Sequence, residues 1–374
     1  MIKKDDKINI IKLDLIKTLL MSGTPYANIA DILQETEPCI DHVIRKYNLH
    51  KDMEVLHKKK QKLTNEDMGT ICKEMGETLL QNYTPLKLDI PKSYKNRASC
   101  EEVSTLFISD MHTGGINEWY DKDSGKKVIT FNKEILDREI KNLTASVGQI
   151  HTLLSSSYKL RKLVLILGGD ILTNDRIFKE QKFEIEKPVG LQIWDCLEHL
   201  LYIITYCLRY YETIQIECRV GNHGRSLPDS YEEPVENNFE FFIYKFLEKQ
   251  FEKEKRVTVN APATRRAIHT IFDWRFLSEH GDQLKGFSEQ AIISQAKELY
   301  ITMGGFEMWL FGHLHRLKEI PVSDKITVKQ NGSFEEKSTY AFNKYRTYSL
   351  PQQWFFGTNE KRIETWCYKL DVRG

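Results

Sequence analysis

The stretch Leu163-Val-Leu-Ile-Leu-Gly-Gly-Asp170 combines a buried strand with a polar residue at its end. Five consecutive apolar residues, 163–167, are typical of a strand that is covered on both faces. The two glycines that follow allow the backbone to turn sharply as it leaves the strand. Asp170 is therefore predicted to lie beyond the carboxyl end of the strand, where the ligands of open α/β sheets gather.

Four other apolar runs of the chain end in the same way. Each is followed by polar residues that can bind a metal, and these are Asp110 and His112, Asn222 and His223, His280, and His313 and His315. Carboxyl ends of parallel strands meet at one edge of a sheet, so these distant residues are expected to converge. With Asp170 they provide two carboxylates, one amide and five imidazoles. Such a set can hold two divalent metals about 3.5–4 Å apart, the arrangement used to cleave phosphate esters.

Apolar periodicity from about residue 99 onward alternates between strands and helices. Strands are predicted at 103–108, 163–167, 214–220, 274–277, 308–311, 325–329 and 362–366, and helices at 131–154, 189–211, 239–251 and 288–300. This alternation predicts a layered α/β domain over residues 99–374.

The first 98 residues are organised differently. Residues 1–50 show helical spacing broken by a tight turn and resemble a helix-turn-helix, which predicts a small all-α domain. Its third helix presents Asp41, His42, Arg45 and Lys46, a weakly basic face that suits a DNA-reading helix or a protein-docking bundle equally well. Residues 51–98 are predicted to be a lysine-rich linker with one helix.

Composition narrows the class of protein. The net charge is only +1 for 374 residues, so any affinity for nucleic acid must come from local patches. No apolar run approaches the roughly 18–20 residues of a membrane span, so no membrane partner is expected. The seven cysteines form no CxxC spacing, which favours a reducing cytoplasm, and a bacterial or phage origin is our expectation.

The ordered motifs DxH, GD, GNH, H and GHxH, from Asp110 to His315, resemble the calcineurin-like metallophosphoesterases. The resemblance covers roughly residues 103–335, with Gln330-Asn-Gly-Ser333 as the closing turn. It implies a sandwich of two β-sheets flanked by helices. It also implies that one metal is held by Asp110, His112, Asp170 and His315, and the other by Asp170, Asn222, His280 and His313.

His223 has a separate role under this resemblance. It would contact the scissile phosphate and protonate the leaving oxygen, while a hydroxide bridging the metals attacks phosphorus. Ligands of nitrogen and oxygen without thiolate suit manganese best, with iron, magnesium or zinc as alternatives. Two bound ions would leave the site slightly cationic and attractive to phosphate.

The pattern departs from the family after His223. Family members usually carry Asp or Glu there, whereas Gly224-Arg225 follows here, as in a branch of phage-type and plasmid-type exonucleases and phosphoesterases. Arg225 is a candidate catalytic residue that would clamp a phosphate. The alternative is a surface arginine paired with Asp229 or Glu232.

The motifs leave the substrate open. The lysine-rich linker, the helix-turn-helix and the aromatic and lysine residues of 119–127 favour DNA and a manganese-dependent exonuclease. Residues 119–127 are equally well explained as an ordinary hairpin that turns at 121–125. A phosphatase or small-nucleotide phosphodiesterase is the first alternative. The second alternative is a DNA-binding or adaptor protein in which the phosphoesterase domain serves as a scaffold. The oligomeric state is left open, a homodimer included.

Overall fold

The computed structural model describes residues 100–179, 181–228, 233–337 and 350–373. The strands in this part are β1 Cys100–Ile108, β2 Asn117–Asp121, β3 Lys126–Phe131, β4 Tyr158–Leu167, β5 Thr213–Cys218, β6 Val257–Asn260, β7 Arg266–Ile271, β8 Trp274–Glu279, β9 Met308–Phe311, β10 Lys318–Pro321, β11 Thr327–Gln330, β12 Gln352–Thr358 and β13 Trp366–Asp371. The α-helices are α1 Lys133–Leu154, α2 Val189–Cys207, α3 Phe239–Phe251 and α4 Glu289–Thr302.

The first sheet has six strands in the order β13-β12-β1-β4-β5-β6. Strands β1, β4, β5 and β6 run parallel, whereas β12 and β13 are antiparallel additions at one side. In register, Ile108 pairs with Leu167, and Leu167 pairs with Cys218. The central strands therefore end level with one another, which places the loops that follow them side by side.

The second sheet has five strands in the order β10-β11-β9-β8-β7. Its central strands β8, β9 and β11 are parallel, and Ser278 of β8 pairs with Leu310 of β9. The loops after β8 and β9 therefore also leave the sheet at a common edge.

A shared apolar core joins the two sheets. Its buried residues come from both, and they are Val103, Phe107, Val164, Ile166, Ile271, Phe276, Met308, Leu310, Trp354 and Phe356. Helix α4 covers the other face of the second sheet through Ile292 and Ala296. Helices α1 and α3 contact strands of the first sheet, and α2 packs between them. The expected two-sheet α/β sandwich flanked by helices is thus confirmed for the described residues.

Most predicted elements are present, with three informative differences. Residues 119–127 form the hairpin β2–β3, so the plainer interpretation of this insertion is confirmed. Residues 362–365 are not a strand, because Asn359 Oδ1 accepts the N–H of Arg362 in a turn, and β13 begins only at Trp366. Helix α2 ends at Cys207 instead of residue 211, since the chain tightens into a turn where the N–H of Tyr210 reaches Cys207 O.

The helix-turn-helix domain of 1–50 and the linker of 51–98 lie outside the described residues, so both stay predictions. None of the helices in the described part combines the length and the apolar character of a membrane span.

Candidate metal centre

All seven predicted ligands lie where the strands of the two sheets end. Asp110, Asp170 and Asn222 follow β1, β4 and β5 of the first sheet, and His280 and His313 follow β8 and β9 of the second. The turn at 330–333 closes over this edge, because Ser333 Oγ donates to Asp110 O at 2.9 Å. Side chains more than 200 positions apart in the chain are therefore brought to one place.

Asp110, His112 and His315 form the first group of potential ligands. The Nε2 atoms of His112 and His315 are 3.0 Å apart, and His315 Nε2 lies 3.4 Å from Asp110 Oδ1. Asp110 is held in place by Ser109 Oγ at 2.5 Å and by the N–H of His313 at 3.0 Å. All three potential ligands are buried, so their donor atoms converge in a small space with little access to water.

Asp170, His280 and His313 form the second group. His280 Nε2 lies 2.9 Å from Asp170 Oδ2 and 3.1 Å from Asn222 Oδ1, which brings the predicted amide ligand into the same cluster. His280 Nδ1 lies 2.9 Å from the carbonyl oxygen of Gly168. Because a carbonyl can only accept, Nδ1 carries a hydrogen, and Nε2 is the ring nitrogen that faces the cluster.

The two groups are adjacent. Potential ligand atoms of His112, Asp170 and His223 also lie within 4.8 Å of one another. His112 belongs to the first group and Asp170 to the second, so this third set joins them. It also includes His223, which the resemblance assigns to proton transfer and not to metal binding; that division of roles stays a prediction.

The backbone of the site is strained. Asp110, His112, Asp170, His313 and His315 have φ angles of 53°, 48°, 51°, 66° and 53°. In the described chain only Asn174, Phe272 and Lys337 are further non-glycine residues with positive φ. Left-handed backbone costs an L-residue of order 1 kcal/mol, and it persists where the surroundings enforce it, typically at functional sites. Five strained residues among the seven predicted ligands therefore mark this edge as a site.

His223 lies beside both groups. Its ring is 4.6 Å from that of His112, and its Nε2 is 4.0 Å from Asp170 Oδ2. Its Nδ1 lies 2.7 Å from Thr173 O, which fixes the hydrogen on that nitrogen and leaves Nε2 facing the cluster. The backbone N–H of His223 donates to Asp170 Oδ1 at 2.8 Å, so the imidazole and the carboxylate are positioned together.

Glu335 was not singled out from the sequence. Its Oε2 lies 3.4 Å from His315 Nδ1, and its Oε1 accepts from Asn117 Nδ2 at 3.0 Å. A carboxylate behind a metal-binding imidazole orients the ring and raises its basicity. In the sequence, only its position soon after the closing turn at 330–333 points to a place near the site. The contact of its side chain with His315 is visible only in the folded structure.

Arg225 is not a surface residue. It is only 3 % exposed, and its Nε donates to Asn222 O at 2.8 Å. The alternative interpretation of Arg225 as a surface arginine is therefore wrong, and the partners suggested for it, Asp229 and Glu232, lie outside the described residues. Its part as a phosphate clamp stays a prediction, whereas the contact shown supports the backbone of a predicted ligand.

The absence of an acidic residue after His223 has a steric explanation. A Cβ at Gly224 would lie 2.1 Å from Asn238 Oδ1. Other side chains support this loop instead: Asn174 Nδ2 donates to the carbonyl oxygens of His223 and Arg225 at 2.6 and 2.8 Å. Glu233 accepts the N–H of Ser226.

Glu240, at the start of α3, accepts hydrogen bonds from the loops that carry Asp170 and Asn222. Its Oε1 accepts the N–H of Ile171 at 2.8 Å, and its Oε2 accepts the N–H of Gly221 at 2.6 Å. The side chain is fully buried; burial and the nearby Asp170 carboxylate raise the pKa of Glu240, and the N–H donors of Gly221 and Ile171 act in the opposite direction. The sequence places Glu240 on a helix but does not show that it faces the site.

The charges of the site suit a cation. Burial, and then the charges of His223 and His315, hold the pKa of His112 well below its usual value, so this imidazole is neutral. Burial acts to raise the pKa of Asp170, but the nearby His280 and His223 outweigh it and hold that pKa well below its usual range. Burial likewise opposes protonation of His280, yet Asp170 raises the pKa of His280 well above 6.5.

The donor set fits two divalent metals. Carboxylate oxygens and neutral imidazole nitrogens are the preferred ligands of first-row divalent ions. The candidate ligand groups within the described ranges contain no cysteine. The Nε2 atoms of His112 and His315 are buried and face each other at 3.0 Å. This short distance is explained if the lone pairs of both atoms bind the same cation. This arrangement would place Asp110, His112 and His315 on one metal, Asn222, His280 and His313 on the other, and Asp170 between them.

Comparisons with known proteins add little to this geometry. No family model and no curated protein matches the chain. Similar solved structures include Vps29 from Entamoeba histolytica complexed with zinc, at 11 % identity over 72 % of this chain and 99 % of that chain, with a TM-score of 0.29. A predicted phosphoesterase from Streptococcus pneumoniae has 10 % identity over 72 % and 99 %, with a TM-score of 0.30.

A third similar structure is the 5'-nucleotidase from Candida albicans, at 11 % identity over 70 % of this chain and 49 % of that chain, with a TM-score of 0.30. Scores near 0.3 do not establish a common fold or function.

Proposed function

We propose that this chain is a two-metal phosphodiesterase of the calcineurin-like kind, a hydrolase that cleaves DNA as a manganese-dependent exonuclease. One observation carries the proposal. The donor atoms of Asp110, His112 and His315 and those of Asp170, His280 and His313 converge in two adjacent groups. Few structural roles require so many buried imidazoles and carboxylates at one edge of a sandwich.

Two bound divalent ions would supply positive charge for the phosphate oxygens and lower the pKa of a shared water. The residues of the chain set the conditions for this chemistry. Asp110 and Asp170 contribute only two negative charges, and the neutral His112 adds none, so the occupied site keeps a positive charge that attracts a phosphodiester. The strained backbone holds the ligands in place before the substrate arrives, which avoids reorganisation during the reaction.

His223 is the proposed proton donor. Its Nδ1–H is bound to Thr173 O, so a proton gained or lost by the ring is carried at Nε2, on the side of the cluster. The side chain is 18 % exposed, more than the potential ligands Asp170 and His280 beside it. It can thus meet a substrate oxygen at the mouth of the site, as proton transfer to a leaving group requires.

Two aromatic side chains beside the site support a substrate that carries bases. Phe178 is half-exposed with its ring 5.0 Å from that of His223, and Phe287 is half-exposed with its ring 6.3 Å from that of His313. A nucleobase that flanks the scissile phosphate can stack on such a ring, which contributes about 1–3 kcal/mol per base. A phosphorylated serine or threonine would leave these rings exposed to water.

The decisive experiment compares substrate classes. Purified protein with manganese is given labelled single-stranded DNA, labelled double-stranded DNA and a chromogenic phosphate monoester. The proposal expects mononucleotide release from an end of the DNA at a rate above that of monoester hydrolysis. Turnover of the monoester without any DNA degradation would show a phosphatase instead.

A variant of Phe178 tests the stacking contribution. Phe178→Leu keeps apolar volume but removes the aromatic face, and we expect KM for DNA to rise about tenfold with kcat little changed. Hydrolysis of a small phosphate diester without a base should be unaffected. An equal loss on both substrates would mean that Phe178 supports His223 and does not contact a base.

We also propose that residues 1–50 contribute to DNA binding, and variants of the full-length protein can test this. Charge reversal at Arg45 and Lys46, on the predicted third helix, should weaken DNA binding and reduce its salt dependence if that helix contacts phosphates. Unchanged affinity would favour the protein-docking alternative.

A further inference from the structure

Glu240 links the two loops that carry the shared ligand and its neighbour. One carboxylate oxygen accepts the N–H of Ile171, the residue after Asp170, and the other accepts the N–H of Gly221, the residue before Asn222. Both hydrogen bonds are buried, at 2.8 and 2.6 Å. A single side chain therefore fixes the distance between the backbones of two loops from neighbouring parallel strands.

The rest of the α3 N-terminus holds the same loop. Asn238 Nδ2 donates to Gly221 O at 2.9 Å, and the N–H of Phe239 donates to Gly224 O at 2.7 Å. The Asn238 side chain also caps the helix by accepting the N–H of Glu240. The first residues of α3 thus bind the 221–224 segment at both ends, and Glu240 extends that hold to the Asp170 loop.

The two loops are packed too closely to absorb a shift. A Cβ placed on Gly221 would lie 2.1 Å from Asp170 Oδ1, and one placed on Gly169 would lie 2.6 Å from the nitrogen of Gly221. Because the loops are already in contact, any change in the hydrogen bonds of Glu240 must move Asp170, Asn222 or both. These are the two oxygen ligands predicted for the second metal.

A carboxylate is the group that this position requires. Both atoms facing its oxygens are N–H donors, so the side chain must accept twice with good geometry. Glutamine has the same shape but only one accepting oxygen, and its amide N–H₂ would face a backbone donor. A buried carboxylate is costly unless positive charge lies nearby, and two bound cations would provide that charge.

We propose that Glu240 is a positioning residue that sets the spacing between Asp170 and Asn222 and so determines the affinity of the second metal position. This inference rests on the proposed metal site. Positioning groups behind metal ligands typically change affinity by about 10–100-fold when they are replaced. The first position shares Asp170, but its other ligands, Asp110, His112 and His315, do not lie on the two loops that Glu240 bonds, so it should be affected less.

The test is manganese binding by the full-length protein, measured by calorimetry after removal of metal with a chelator. For Glu240→Gln we expect one of two sites to weaken by about 10–100-fold and the other to change by less than about threefold. Glu240→Asp keeps both carboxyl oxygens but shortens the side chain, so it should recover part of the affinity. This graded response separates positioning from a general loss of folding.

The matched control is Glu102→Gln. Glu102 is also buried and accepts hydrogen bonds, from Trp366 Nε1 at 2.7 Å and from Thr365 Oγ1 at 2.9 Å, but at the opposite end of β1. It should lower thermal stability while both manganese affinities stay unchanged. Equal metal affinities in Glu240→Gln and the wild type would overturn the inference.

The proposed metal site itself is checked with Asp170→Asn, which should lose manganese at both positions. If that variant binds manganese like the wild type, the proposed site is wrong. If it loses manganese while Glu240→Gln does not, the site stands and only the role of Glu240 is refuted.

Discussion

The Nε2 atoms of His112 and His315 lie 3.0 Å apart although 203 positions separate the two residues in the chain. Each ring is buried, and Asp110 lies next to the pair. A hydrogen bond between the two rings uses one lone pair and one hydrogen, whereas a shared cation uses both lone pairs. The pair is therefore a sensitive position at which to test metal binding.

We expect manganese to raise the melting temperature of the protein. A ligand that binds only the folded state at 100 times its Kd stabilises that state by about 2.7 kcal/mol. His315→Ala should reduce this increase, as seen by thermal unfolding with and without added metal. His199→Gln, which alters a buried imidazole paired with Asp137 away from the site, should keep the full increase.

Replacing His223 should separate catalysis from metal binding. His223→Asn keeps a polar side chain but cannot transfer a proton, so we expect kcat to fall by about 10²–10⁴-fold with manganese stoichiometry unchanged. Single-turnover cleavage and metal analysis of the same preparation provide the two measurements. Loss of metal in this variant would instead place His223 among the ligands.

Gly221 tolerates no side chain. Gly221→Ala would bring a methyl group within 2.1 Å of Asp170 Oδ1, so we expect loss of manganese binding and a drop in melting temperature of several degrees. Gly190→Ala is the matched control, because nothing lies within 4 Å of its added Cβ and it sits within α2. That change should leave manganese binding unchanged and the melting temperature close to that of the wild type.

His269 should make stability depend on pH. Within the described residues neither of its ring nitrogens has a hydrogen-bond partner, and burial, then the charges of Arg219 and Lys162, lower its pKa from 6.5 to about 3. The unfolded chain binds this proton more tightly, so the stabilisation is complete above about pH 6.5 and declines as the pH falls toward 3.

Urea unfolding at pH 8 and pH 5, with a chelator present, measures this effect. The free energy of unfolding should decrease by about 2 kcal/mol more in the wild type than in His269→Phe, because each unit of pKa shift corresponds to about 1.36 kcal/mol. The phenylalanine retains the stacking on Phe276. Equal pH dependence in the two proteins would show that His269 titrates normally.

The sequence predicts the ligands better than it predicts what supports them. Asp110, Asp170 and His280 could be found because each ends an apolar run, and parallel strands bring such ends together. Glu240 follows no such rule, since only the packing of α3 against the loops turns its carboxylate toward residues 171 and 221. Gly224 is a second example. The sequence shows that a glycine, not an acidic residue, follows His223, but it does not show that Asn238 Oδ1 leaves no room for a side chain there.

Substrate preference was the least predictable property. The aromatic and lysine residues of 119–127 are typical of a DNA-contacting segment, yet they form a hairpin in which Lys127 pairs with Glu118. Phe178, whose ring approaches His223, lies in a loop without any distinctive sequence signal. Side chains at the mouth of a site are placed by loop conformation, for which local sequence carries little information.

The pairing of β1 with β12 has a consequence for synthesis of the protein. Val103 pairs with Thr358, so the strand that leads to Asp110 gains its antiparallel neighbour only after some 250 further residues have been made. Contacts between such distant segments slow folding, and a nascent chain that has just exposed Asp110 and His112 cannot complete the site. Hydrolytic activity should therefore emerge only after β12 has been synthesised and has paired with β1.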